Sequence, residues 1–399
     1  MRIFDICDYG ARADGLTLNT SAIQKAIDAC HAVGGGRVFC GPGDFLTGSL
    51  QLKSRVDLHV SMGCRLVGST KLADYVDFTA PGFRHELAPE ENTKSLLYAV
   101  QAVDFSITGP GEINGSGPAF YDTSSLTGGR FYKKPATPRP RILMAYQCRN
   151  FRIEDASFND SPCWTFWLMQ CQTVGIHRIR MIADQKMINN DGIDLDMCRD
   201  VTVSDSIFKT GDDCIILRSM RTLYETQMPC ENITVTNCVL DSWCQGIRVG
   251  CPSDGVIRNC AFSNLVISGL HNGIFFENPK RYLAKDCRGA ADIRNIVFSN
   301  GVINCNGTPI CLIAEEGVAL KHLGEISFSH FRIKSGRPII VQGSSETTIQ
   351  NISFSDIAIE TDGDDAIVCR HARGVKLNNV ELTNRPAAVT SEALLPAAV

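Results

Sequence analysis

What this sequence lacks narrows the possibilities before any motif is read. No apolar run is long enough to cross a bilayer as a helix, so a membrane partner is not expected. The opening Met1-Arg2-Ile3-Phe4 enters a strand pattern at once, with no charged and then apolar leader. The expectation is a cytoplasmic protein, or a secreted or periplasmic one whose leader has been removed. There is no basic excess either: 39 Lys and Arg stand against 43 Asp and Glu, with a pI near 6.1. That balance excludes the electrostatic footprint of a nucleic-acid binder. The 18 cysteines include no Cys-x-x-Cys pair, so neither zinc nor any other metal is expected. Most of them, such as Cys238, Cys260 and Cys311, fall at strand positions and read as free buried thiols rather than disulfides.

What is present is repetition. Ile257-Arg258-Asn259-Cys260-Ala261-Phe262-Ser263-Asn264 returns as Ile293-Arg294-Asn295-Ile296-Val297-Phe298-Ser299-Asn300, and again as Ile349-Gln350-Asn351-Ile352-Ser353-Phe354-Ser355-Asp356. Looser copies begin at Cys148, Cys171, Cys198 and Cys230, at intervals of 23, 27 and 32 residues. A constant core with variable intervals places the insertions in loops on one side. Within each copy apolar residues alternate, as in Ile233-Thr234-Val235-Thr236, which is the period of a strand with one buried face. Asn, Asp and Ser supply the bends. The fold expected is all-β, a right-handed parallel β-helix whose coils bury their inward side chains against one another.

Near the N-terminus, Ile23, Ala26, Ile27 and Cys30 fall at i, i+3, i+4 and i+7 after Asn19-Thr20, either of which suits a helix N-cap. This predicts one amphipathic capping helix, stopped by Gly34-Gly35-Gly36. Residues 1–68 then form the cap and first coils, 114–140 a groove-side loop without period, and 141–385 the central and C-terminal coils, all in one domain spanning 1–399. Oligomeric state is not legible.

Two acidic turns stand out against this background: Asn189-Asn190-Asp191-Gly192-Ile193-Asp194 and Gly211-Asp212-Asp213-Cys214, with Asp191 and Asp212 21 residues apart. If that interval is one coil, the turns lie roughly 4.8 Å apart, the spacing of adjacent strands. Like charges that close repel, so a fold that gathers them needs a use for them. Hydrolysis of a glycosidic bond uses one carboxyl to protonate the leaving oxygen and another to activate water, and a third nearby carboxylate raises the proton affinity of the acid. Trp164 and Trp167 precede these turns by one coil, one placed to stack on a sugar and the other in the core.

The opening Asp8-Tyr9-Gly10-Ala11 with Asp14-Gly15, the Asn-x-Asp-Gly-Ile-Asp turn and the Gly-Asp-Asp-Cys turn together resemble glycoside hydrolase family 28, the polygalacturonase family. The resemblance covers almost the whole chain. It implies inverting hydrolysis of pectic oligo- or polysaccharides without a cofactor. Asp212 resembles the general acid, Asp191 and Asp213 the pair that activates water, and Asn189 and Asp194 supporting residues. Two departures affect the substrate. The family's Gly-His-Gly aligns with Cys244-Gln245-Gly246, and its Arg-Ile-Lys, which grips a galacturonate carboxylate, with Phe275-Phe276-Glu277. A uronate facing Glu277 is repelled, whereas Phe275 suits a neutral sugar such as rhamnose. Arg218 and Arg248 either bind a uronate or pair with the acids, and His271 either replaces the missing histidine or is structural. Glu315 and Glu316 line a later coil or are solvated. Exo action is expected, with the 114–140 loop blocking one end of the groove. A calcium-dependent lyase and a noncatalytic glycan-binding β-helix are the competing readings.

Overall fold

The alternating residues of the repeats become strands and the asparagines become corners. In the computed structural model, which describes residues 2–283, 291–362 and 365–382, the segments Cys230–Ser242, Val256–Gly269, Asp292–Cys305, His322–Ser335 and Ile349–Thr361 stack parallel and in register. Each carries two residues in the left-handed conformation: Asn232 and Asn237, Asn259 and Asn264, Asn295 and Asn300, Glu325 and His330, Asn351 and Asp356. Asparagine tolerates that region better than other side chains, which is why it recurs at the corner. The amides also bond along the stack, Asn264 Nδ2 to Asn237 Oδ1 at 3.1 Å and Asn295 Nδ2 to Asn259 Oδ1 at 2.8 Å. Inside, Phe262, Phe298, Phe328 and Phe354 stack with centroids 4.5, 5.0 and 5.2 Å apart. The coil holding Phe328 is a further copy that the sequence pattern hides, because Glu325 and His330 occupy its two corners.

The chain thus forms a parallel β-helix. One sheet runs as eleven parallel strands from Leu50–Gln51 to Ile367–Arg370 and includes Phe166–Met169, Ile193–Asp196, Ile215–Ser219, Gln245–Ser253 and Asn272–Glu277. Its inward residues, among them Ile193, Leu195, Ile215, Leu217 and Ile247, join the main core. The alternate positions, Asp194, Asp196, Arg218, Arg248, Phe275 and Glu277, therefore face outward. Every cysteine among the described residues is free. Cys148, Cys171, Cys198 and Cys230 each precede an in-register residue, Arg149, Gln172, Arg199 and Glu231, and fill equivalent buried places in successive coils.

The capping helix is Thr20–Ala32, and Ile23, Ala26, Ile27 and Cys30 are its buried face. Asn19 holds the N-cap position but does not cap with its side chain. Its amide instead accepts from Arg12 N at 2.7 Å and donates to the Arg12 and Thr17 carbonyls, tying the preceding loop, while the Thr20 hydroxyl accepts from Gly48 N at 2.7 Å. Residues 1 and 383–399, the ends of the expected single domain and of its last coils, lie outside the described residues.

A second apolar layer covers part of the outward face of the eleven-stranded sheet. Phe78, Phe83 and Ala88 pack there against Met144, Tyr146, Trp167, Met169, Leu223 and Tyr224. The segment that contributes them is zipped onto residues 222–225, with Arg84 N donating to Leu223 O at 2.9 Å and Glu225 N to Gly82 O at 3.0 Å. The 114–140 loop lies elsewhere. It contains a short antiparallel pair, Leu126–Thr127 with Phe131–Tyr132, and braces the first acidic turn through Tyr121, whose hydroxyl donates to Ile188 O at 2.7 Å.

Candidate active site

Both acidic turns lie immediately before strands of the eleven-stranded sheet, and one buried residue clamps them together. Asn190 Oδ1 accepts from Gly211 N at 2.7 Å and from Asp212 N at 3.1 Å, and its amide donates to Asp184 O. Glycine is required at Gly211, where a Cβ would fall 2.3 Å from Met187 O, and at Gly192, where it would fall 2.2 Å from Cys214 O. The backbones join directly as well, Gly192 N donating to Asp213 O at 2.9 Å. No sequence signal marks Asn190, because its partners belong to the other coil.

The carboxylates differ sharply in surroundings. Asp191 and Asp213 are 3% and 2% exposed, whereas Asp212 is half-buried. Asp212 accepts from Asn189 N at 3.2 Å and from Asp213 N at 3.0 Å, contacts that orient it. Asp213 accepts from Gln245 N at 3.1 Å and from Arg248 Nη1 at 3.3 Å. Asp194, fully buried, pairs with Arg218 Nη2 at 2.5 Å, and the same nitrogen lies 3.8 Å from Asp191. Burial, then the charges of Asp212, Asp194 and Asp213, push Asp191 well above the usual carboxylate range, with Arg218 opposing. Burial pushes Asp194 up to about 7 against the pull of Arg218, and Asp213 up to about 6 against that of Arg248. The two arginines thus offset part of the cost of gathering buried carboxylates across the two turns.

Both predicted arginines are thus engaged by acids. Arg248 also binds Glu277 through Nη2 and lies 5.5 Å over the Phe275 ring. Glu277 is therefore a partner of Arg248 rather than a bare repelling charge, and the Arg248 guanidinium lies beside the half-buried Phe275 ring. Gln245 supplies a backbone donor, while its buried Oε1 has no partner. Cys244 beside it brings its sulfur within 4.8 Å of oxygens of Asp212 and Asp213, the only set of three such ligand atoms among the described residues. Burial and those two charges raise the thiol well above its ordinary range.

These groups border a cavity of about 420 Å³ that includes Asn189, Asp191, Asp212, Asp213, Arg218 and Arg248. Trp164 lines it too, with the guanidinium of Arg218 4.1 Å and that of Arg141 4.9 Å from its ring centre; Trp167 is wholly buried. The remaining wall is partly apolar, with Leu87, Pro89, Met220, Leu223, Tyr282 and Leu283, and partly polar, with Glu90, Thr222, Ser253 and Asp254 beside Cys251 and Pro252. The 114–140 loop does not line this cavity itself but supports its wall through Lys134 and Arg139. Glu90, held by Lys134 at 2.6 Å and Arg139 at 3.0 Å, is an addition to the site, as is Arg139, which also donates to Asn189 Oδ1 at 3.1 Å. No motif marks them; only the fold brings residues 90, 139 and 189 together. His271 lies outside the cavity against Arg130. Glu315 and Glu316 bond the backbone at Lys280 and Ser345, away from the acids. A second concavity of about 680 Å³ lies on the other sheet and mixes Arg2, Arg55 and Arg152 with Asp57, Asp104 and Glu154, without an acid cluster.

Comparison with known proteins agrees with this geometry. The chain is 25% identical over 279 residues to a probable polygalacturonase of Vitis vinifera, a match covering 67% of the chain but 55% of that relative. It is 26% identical to an exo-poly-alpha-D-galacturonosidase of Dickeya chrysanthemi, over 89% of this chain and 71% of the other. The fold superposes on an exopolygalacturonase of Thermotoga maritima with a TM-score of 0.77 at 22% identity, covering 96% and 91% of the two chains. With residues 30–394 matching the family as a whole, and the acid-bearing coils inside that span, the chain belongs to glycosyl hydrolases family 28.

Proposed function

We propose that this protein is an inverting, exo-acting hydrolase of pectin-derived oligosaccharides that releases a neutral, methyl-bearing terminal sugar such as rhamnose. Asp212, the carboxyl most open to the cleft, donates a proton to the leaving oxygen as the glycosidic bond breaks. Asp213 and Asp191, backed by Arg248 and Arg218, take the proton of a water whose oxygen bonds to the anomeric carbon from the opposite face. The observation that carries the substrate reading is the state of the two arginines at the cavity: Arg218 is committed to Asp194 and Arg248 to Asp213 and Glu277. A carboxylate on the terminal sugar would add charge to an acid cluster whose two arginines are already paired. Leu87, Met220, Leu223 and Leu283 suit a methyl group instead. The free buried thiols support a reducing compartment.

The test is a set of defined rhamnogalacturonan and homogalacturonan oligosaccharides with product anomers followed by NMR. Inverted terminal rhamnose supports the reading. Faster release of galacturonate returns the chain to the activity named for its Dickeya and Thermotoga relatives, and ultraviolet-absorbing products lost on chelation establish the lyase.

A further inference from the structure

The arginines that hold the acid cluster are neutralised, but Arg130 is not. It sits on the short hairpin of the 114–140 loop and reaches the upstream ends of the strands beyond Asp212. Its Nη1 donates to His271 Nε2 at 2.5 Å and its Nη2 to Trp243 O at 3.1 Å, both uncharged acceptors. Its Nε is buried without a partner, and among the described residues no carboxylate pairs with it. The guanidinium is flanked by Phe131 at 5.0 Å and Trp243 at 6.0 Å, rings that meet edge to face. Because arginine only donates, His271 accepts at Nε2 and carries its proton on Nδ1. Burial, then Arg130, push His271 below its ordinary range, with Asp212 pulling the other way, so the three groups lie within electrostatic reach of one another.

A half-buried cation that uses only two of its five N–H groups, a neutral imidazole donor beside it and aromatic edges on either side is the equipment for a sugar carboxylate. We infer that Arg130, with His271 and the Phe131–Trp243 edge, binds the carboxylate of a uronate on the side of Asp212 away from the terminal-sugar cavity. The inference rests on the reading of the cleft as a pectin hydrolase and adds the second sugar: a neutral residue in the cavity, then an acidic one against Arg130. The uronate grip has moved from a strand of the sheet to a loop.

The test titrates free galacturonate and its methyl ester into the intact protein, using the His271 ring signals as reporter. Arg130 should favour the free acid over the ester by about tenfold to a hundredfold, the range for a hydrogen bond to a charged group. Arg130→Gln should abolish the preference, and Arg130→Lys, which keeps the charge, should retain part of it. Equal affinity for acid and ester in the parent, or a preference that survives Arg130→Gln, overturns the inference. Because neither sugar is cleaved, the result is independent of turnover; failure of the hydrolase reading would show separately, as inactivity of the parent on every pectic oligosaccharide.

Discussion

At the residue scale, Asp212 is separable from its neighbours. It is half-buried, unpaired with arginine and oriented by two backbone donors, one on each carboxylate oxygen; asparagine's Oδ1 keeps one of them, and losing the other costs little at a position open to water. Asp212→Asn should therefore fold normally, with an unchanged melting temperature, while turnover drops by about 10²–10⁴-fold, the usual weight of general acid catalysis. Activity within threefold of the parent would remove Asp212 from the mechanism. The buried acids make a pH prediction instead. Asp194 is raised to about 7 and Asp196 and Asp213 to about 6, burial being the first cause in each case. A carboxyl with a raised folded value binds protons more tightly when folded, so its stabilisation is full below the unfolded value of 3.8 and is lost as pH rises through 6 to 7. Thermal melts should accordingly be higher at pH 5 than at pH 8; the reverse order would mean these groups are ionised in the fold. Asp14 and Glu346, held down to about 2 by hydrogen bonds, oppose this only in stronger acid. The acids themselves were legible because their turn motifs are contiguous. Asn190, Glu90 and Arg139 were not, since each acts on a residue of another coil or loop.

At the scale of the element, the corner is the unit that specifies the fold. Asn259 has φ 57° and its amide bonds coils on both sides, accepting from Asn295 at 2.8 Å and donating to Asn232 at 3.4 Å. Alanine there meets the left-handed penalty of about 1–2 kcal/mol and loses both bonds. Asn259→Gly loses the bonds but tolerates the backbone, so chemical denaturation should place it between the parent and Asn259→Ala. Equal loss in both variants would show that the amide ladder, not the backbone angle, governs the corner. The same physics explains which repeats could be read. Copies with Asn at both corners are obvious, whereas the Phe328 coil keeps its geometry with Glu325 at φ 49° and His330 at φ 58°. Glu325 accepts from Asn351 at 3.0 Å and His330 lies 3.7 Å from Asp356, so the ladder continues with different chemistry. A pattern search for asparagine passes over it.

At the scale of the molecule, the cleft is closed where the second apolar layer sits. Phe83, Tyr146, Trp167 and Tyr224 pack ring against ring over the outward face of the coils that precede the acids, at 5.7 to 6.1 Å between centroids. A polysaccharide lying across Asp212 cannot continue through that layer, because displacing it would expose several fully buried aromatic side chains. The sequence marks residues 114–140 as a groove-side loop, and the aromatic layer around Phe83 is a second element over the sheet that no motif marks. Gly, Ser and Pro drew attention to residues 114–140, while the segment around Phe83, which has no period of its own, is ordered by what it packs against. A chain terminus, rather than an internal bond, should then reach the acids. Early in the reaction a single mono- or disaccharide should accumulate while the polymer keeps its viscosity. A ladder of intermediate lengths with a rapid fall in viscosity would require the layer to open, and would end both the exo assignment and the role of Phe83 and Tyr224 in closing the cleft.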